Sequence, residues 1–200
     1  MSKSILRKNK KLKILLSPLL VILAVILLPS AGMALIFLPL IFALAVSLVN
    51  SNHLKVRSKP LGIMIAIGQS YGVFLGMAIV LYILDEFMPE MYMSANRFDY
   101  KGIALVTIGG YLAGLLLFYF YSFLFRVENL RISFLYITVC YIFVVAVMHI
   151  FSKNEFLQFG VEKFTSFLIS WLIFMSFAYS LSMNDEGMFK FLKKDWDSKN

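Results

Sequence analysis

The side chains that could do chemistry are few and scattered. His53 and His149 are the two histidines, and Cys140 is the one cysteine. No H-E-x-x-H, G-x-S-x-G, P-loop or dinucleotide glycine pattern occurs, so the spacings that build metalloprotease, hydrolase and nucleotide sites are missing. Met88, Met91 and Met93 flank Pro89 and Glu90. Thioethers suit Cu(I), but no cysteine or second methionine cluster accompanies them. They read as apolar anchors at a membrane surface. Cys140 reads as a small packing residue. The expectation is a chain with no catalytic residues, no metal and no cofactor, and not an enzyme.

Two further patterns carry physical rather than covalent chemistry. Gly68, Gly72 and Gly76 recur every four residues and therefore share a helix face. Gly110 and Gly114 form a second such pair, beside Gly109 and Ala113. In lipid, small residues mark where helix backbones approach, either within one chain or between copies. Gln69, next to Gly68, carries an amide that needs a partner from a neighbouring helix. Thr165, Ser166, Ser170, Ser176 and Ser180 spread over roughly 140° of a helix surface at 100° per residue. Such a stripe lines a wet path or bonds its own helix carbonyls.

The elements that must position these residues are apolar. Hydrophobic residues make up 60% of the chain and charged ones 15%, against about 25% in soluble domains. Five stretches carry no Asp, Glu, Lys or Arg: 14–52, 60–84, 102–125, 132–152 and 164–184. The first is too long for one crossing and contains Pro29-Ser30-Ala31-Gly32, a turn sequence. It splits into two spans, with a shallow re-entrant pair as the competing reading. Continuous apolar runs exclude the alternation of an outer-membrane barrel, and in lipid the backbone must satisfy itself as helix. The fold expected is all-α, a polytopic transmembrane helix bundle. Its spans fall at about 12–29, 33–50, 61–84, 102–125, 132–151 and 163–183, forming a domain over 1–184, and a tail follows at 185–200. The basic N-terminus followed by an apolar run looks like a signal peptide, yet a second apolar run begins within a few residues. It is read as an uncleaved first span.

Charge fixes the orientation. With the N-terminus in the cytoplasm, 15 of the 19 Lys and Arg lie inside, before the first span and at Lys55, Arg57, Lys59, Arg126, Arg131, Lys190, Lys193, Lys194 and Lys199. By the positive-inside rule both termini are cytoplasmic. The net charge of +8 is then a topogenic signal and a surface for anionic lipid, with no direct nucleic-acid binding expected. Apart from Lys13 and Lys163 at their ends the spans hold no charged residue, which argues against an ion-coupled transporter or pump. The aromatic run Phe118, Tyr119, Phe120, Tyr121, Phe123 and Phe125 is assigned to the cytoplasmic interface. After the last span, Asn184 is placed as the cap of an amphipathic helix on which Met188, Leu192 and Trp196 recur every four residues.

This layout, a small six-span chain with short loops and a basic cytoplasmic face, resembles the membrane subunits of bacterial two-gene phage-defence systems such as the membrane component of Kiwa. The resemblance lies in size and layout across the whole chain and transfers no residues. It implies an inner-membrane oligomer that senses infection and works with a cytosolic, DNA-directed partner. The function expected is a non-enzymatic membrane scaffold or sensor that forms a homo-oligomer and recruits a cytosolic protein. The alternative is a small channel with glycine- or serine-lined helices.

Overall fold

A computed structural model describes residues 10–27, 31–87, 100–127, 129–153 and 161–184. Within them the chain forms six α-helices: α1 (Lys10–Ile26), α2 (Ala31–Val49), α3 (Lys59–Phe87), α4 (Tyr100–Leu124), α5 (Leu130–Lys153) and α6 (Val161–Asn184). A short 3-10 turn, Ser51–His53, follows α2. Among the described residues there is no strand, only an isolated antiparallel bridge between Leu54 and Phe125. Each of the six apolar runs is thus a helix.

Four helices are long and apolar enough to cross a membrane, over Lys59–Leu84, Thr107–Leu124, Leu130–Val147 and Phe167–Asn184. The first two helices are shorter, with 17 and 19 residues. At 1.5 Å per residue they reach about 25–29 Å, just under a hydrocarbon core of about 30 Å. Each contains an internal proline, Pro18 in α1 and Pro39 in α2. Proline lacks the N–H that would bond the carbonyl four residues back. Beside that gap in α2, Tyr71 of α3 donates its hydroxyl to the Ile36 carbonyl at 2.9 Å. The carbonyl that Pro39 cannot bond is that of Leu35, one residue earlier, so α3 supplies a donor to the same turn.

Helix α6 is the hub. It packs on α5, α1 and α2, while α3 packs between α2 and α4 at one side. Two thirds of the α6 span is buried inside the chain, against 17% for α3. The core is aromatic. Phe42 of α2 meets Tyr179 edge-on with ring centres 5.3 Å apart, and Phe118 of α4 meets the same ring at 5.4 Å. Edge-to-face pairs place the positive rim of one ring on the negative face of the other.

The run closing α4 divides by helix face. Phe118, Tyr121 and Phe125 are fully buried, whereas Tyr119, Phe120 and Phe123 are exposed. Burial overturns the interfacial assignment for Phe118, Tyr121 and Phe125. At 100° per residue, consecutive aromatics cannot all face the same medium. The loops at this end are tied by backbone bonds, Lys55 N–H to the Leu124 carbonyl at 2.9 Å and Arg126 N–H to the His53 carbonyl at 2.7 Å. Asn129 caps α5, its Oδ1 accepting from the N–H groups of Arg131 at 3.0 Å and Ile132 at 3.2 Å.

Candidate functional site

The two glycine sets occupy different surroundings. Gly110 and Gly114 lie in a seam between α4 and α6. Trp171 Nε1 donates to the Gly110 carbonyl at 2.8 Å, and the Tyr179 hydroxyl donates to the Gly114 carbonyl at 2.6 Å. Trp171, Met175 and Tyr179 recur every four residues and form one ridge of α6. A Cβ added at Gly110 would sit 2.7 Å from Phe167 Cζ, and one at Gly114 would sit 3.2 Å from Met175 Sδ. The space is tight here because the ridge bonds directly to the α4 backbone. Gly109 is as tight, against Leu81 of α3.

Gly68, Gly72 and Gly76 meet nothing. A Cβ at any of them has no neighbour within 4 Å among the described residues. On the α3 wheel the buried residues Gly62, Ala66, Ser70 and Val73 cluster on one side, and the glycine stripe lies about 120° away. A glycine-to-glycine seam between α3 and α4 is therefore not formed. Gly110 and Gly114 face α6, because that is where the aromatic donors are, and Gly109 faces Leu81 of α3. Gln69 lies between the stripe and the buried side. Its Nε2 reaches the Phe120 carbonyl at 3.4 Å, a long contact, and its Oε1 is buried without a partner.

Of the hydroxyl stripe on α6, Ser176 and Ser180 are fully buried. Ser176 Oγ donates to the Ile173 carbonyl at 2.9 Å, and Ser180 Oγ accepts from Asn50 Nδ2 at 3.1 Å. These two line protein contacts rather than an open path. Ser170 is half-buried. Thr165 and Ser166 belong to α6, but their side chains lie outside the described residues. So do the methionine cluster at 88–93, the His149 side chain, and Lys190, Lys193, Lys194 and Trp196 in the tail.

The end that carries the paired loops is polar inside and basic outside. Asn184 Nδ2 donates to Asn50 Oδ1 at 2.6 Å and to the Ser180 carbonyl at 2.8 Å. Asn184 Oδ1 accepts from His53 Nε2 at 3.2 Å, and Asn50 Nδ2 also donates to the Val46 carbonyl at 2.8 Å. The side chain expected to cap a following helix bonds α2 and the turn after it, and the helix it was expected to cap lies outside the described residues. Lys55 and Arg126 are held side by side by the backbone pairing, and the Lys55 ammonium donates to the Ser122 carbonyl at 2.5 Å. Arg57 and Lys59 are exposed on the same loop and helix start, and Arg131 is exposed at the start of α5. The asparagine clamp was not legible in the sequence. Asn50 and Asn184 are 134 residues apart, and the only hint was that each ends an apolar run.

The opposite half of the bundle holds an apolar cavity of about 500 Å³ between α2, α3, α4 and α6. Pro39, Tyr71, Phe74, Ala78, Gly110 and Trp171 are among its walls. Among the described residues no group of three or more His, Cys, Asp or Glu is placed to hold a metal. No protein-family model, curated protein or solved structure matches this chain. Three features of the molecule bear on function: an open glycine face, a polar and basic end, and an apolar cavity.

Proposed function

We propose that this chain is a non-enzymatic, six-span membrane scaffold or sensor, with both termini cytoplasmic, that assembles with copies of itself and presents its basic end to a cytosolic protein. The observation that carries the reading is the outward face of α3. The most exposed of the spanning helices bears Gly68, Gly72 and Gly76 in open space. A stripe of small residues on a lipid-facing helix lets a second backbone approach, and close van der Waals contact is the main attraction between helices in a bilayer. A role in antiviral defence within a bacterial inner membrane, as the layout resemblance implies, is part of this proposal.

The basic end supports the second half. Lys55, Arg57 and Arg126 are carried by two loops that the backbone pairing holds together, and Lys59 and Arg131 begin the helices that follow them. A rigid cationic platform recruits an acidic partner or anionic head groups, and the charges are felt over about 8 Å at physiological ionic strength. The channel reading lacks such support, because Ser176 and Ser180 are consumed in packing.

The test is co-purification from membranes at native expression, with cross-linking before solubilisation. A stoichiometric cytosolic partner and a cross-linked homo-oligomer are expected. Recovery of monomer alone, together with ion flux in reconstituted vesicles, would replace the scaffold by the channel.

A further inference from the structure

The cavity is placed and shaped for hydrocarbon. On α3 its wall runs from Tyr71 to Leu81, ten residues and so about 15 Å along the axis. That is half of a hydrocarbon core of about 30 Å, the depth of one leaflet. It lies in the half of the bundle away from Lys55 and Arg126, since α3 leaves the basic end at Lys59 and reaches Leu81 after about four fifths of its length. Its mouth runs onto exposed Leu75 and Ala78, continuous with the bare apolar surface of Ile79 and Ile83 on the same helix.

The walls offer nothing to a polar ligand. The two polar groups among them are already spent, Trp171 Nε1 on the Gly110 carbonyl and the Tyr71 hydroxyl on the Ile36 carbonyl. A water needs two to four polar partners, so water is not held here. An empty cavity of this size would leave its lining atoms without dispersion partners. At this depth the surrounding medium is acyl chain.

We propose that this cavity binds one acyl chain of a membrane phospholipid from the leaflet opposite the basic end. The chain enters sideways past Leu75 and Ala78, and lies along Phe74 and Trp171. Transfer from bilayer to cavity gains no hydrophobic free energy, because both are hydrocarbon. Occupancy comes from packing, and the head group stays at the membrane surface. The inference rests on the reading that α3, α4 and α6 cross the bilayer.

Trp171 supplies the probe, because the chain has two tryptophans and Trp196→Phe leaves Trp171 alone. The full-length protein is reconstituted in phosphatidylcholine–phosphatidylglycerol vesicles, with or without bromine in mid-chain. Flotation with the vesicles is checked first, and failure to float would sink the membrane reading itself. In floated protein, brominated chains should remove most of the Trp171 emission, although its side chain is only 2% exposed. Ala78→Phe, which fills the mouth from an exposed position, should restore the emission. Val80→Phe, exposed but outside the cavity, should not. Three results would overturn the proposal: a Trp171 unquenched by brominated lipid, quenching by aqueous acrylamide instead, or equal lipid quenching with and without Ala78→Phe.

Discussion

Gly110 and Gly72 have the same side chain and opposite consequences. At Gly110 the indole of Trp171 bonds the backbone and the Phe167 ring tip lies 2.7 Å from where a Cβ would stand. Gly110→Leu should therefore lower the unfolding free energy of the monomer by about 1–3 kcal/mol, the range for overpacking a filled site. Thermal unfolding in detergent checks this. Gly72→Leu should leave that transition within about 0.5 kcal/mol, as surface changes do, because nothing lies within 4 Å of its Cβ position. Its effect should appear only in cross-linking, as a lost homo-oligomer. An intact oligomer with Gly72→Leu would remove α3 as the self-association face. The hydroxyl of Tyr179 allows a finer test. Tyr179→Phe keeps the ring contacts with Phe42 and Phe118 and deletes the bond to the Gly114 carbonyl. Interhelical hydrogen bonds in membranes average about 0.6 kcal/mol, so a loss of that order is expected in the same unfolding experiment.

At the scale of elements, the polar clamp at the end of α6 decides how firmly that helix is held. Asn184 bonds Asn50, His53 and its own helix at once. Asn184→Ala strands the buried Asn50 oxygen and removes one acceptor from His53, and leaving a buried polar group unpaired costs about 1–3 kcal/mol. Faster amide exchange confined to the last turns of α6 is the expected readout, with Asn50→Ala giving a similar but non-additive loss. Uniform exchange across α6 in both variants would mean that the clamp does not fix this end. Helix positions were legible in advance, since apolar length and lack of charge admit little else in lipid. Partner choice was not legible. The 68-72-76 spacing marks a close-approach face without saying what approaches, and the donors that engage Gly110 and Gly114 are aromatics whose direction depends on how α6 crosses α4. The same limit applies to residues 118–125, where the residue types indicated a membrane interface and helix rotation sent every third or fourth ring inward.

At the scale of the whole molecule, the two ends differ in kind, and that asymmetry should fix orientation. One end combines the Asn50–Asn184 clamp with Lys55, Arg57, Lys59, Arg126 and Arg131, and the other half holds an apolar cavity walled by Pro39, Phe74 and Trp171. Lys and Arg near span ends are retained on the cytoplasmic side during insertion, where they are counted over short loops such as 50–58 and 125–129. The structure puts those two loops at the same end through the Lys55–Leu124 and His53–Arg126 backbone bonds, so their charges act together. Removing one loop's charge should weaken the bias and removing both should weaken it further. Reporter fusions at Asn96 and Asn200 provide the measurement, with Asn96 expected outside and Asn200 inside. Neutralising Lys55, Arg57 and Lys59 alone should keep that pattern, because 12 of the 15 inward basic residues remain. Neutralising Arg126 and Arg131 as well should produce a mixed population. A reporter at Asn200 that reads outside in the unaltered chain would break the six-span arrangement, and the cytoplasmic platform proposed for partner recruitment would go with it.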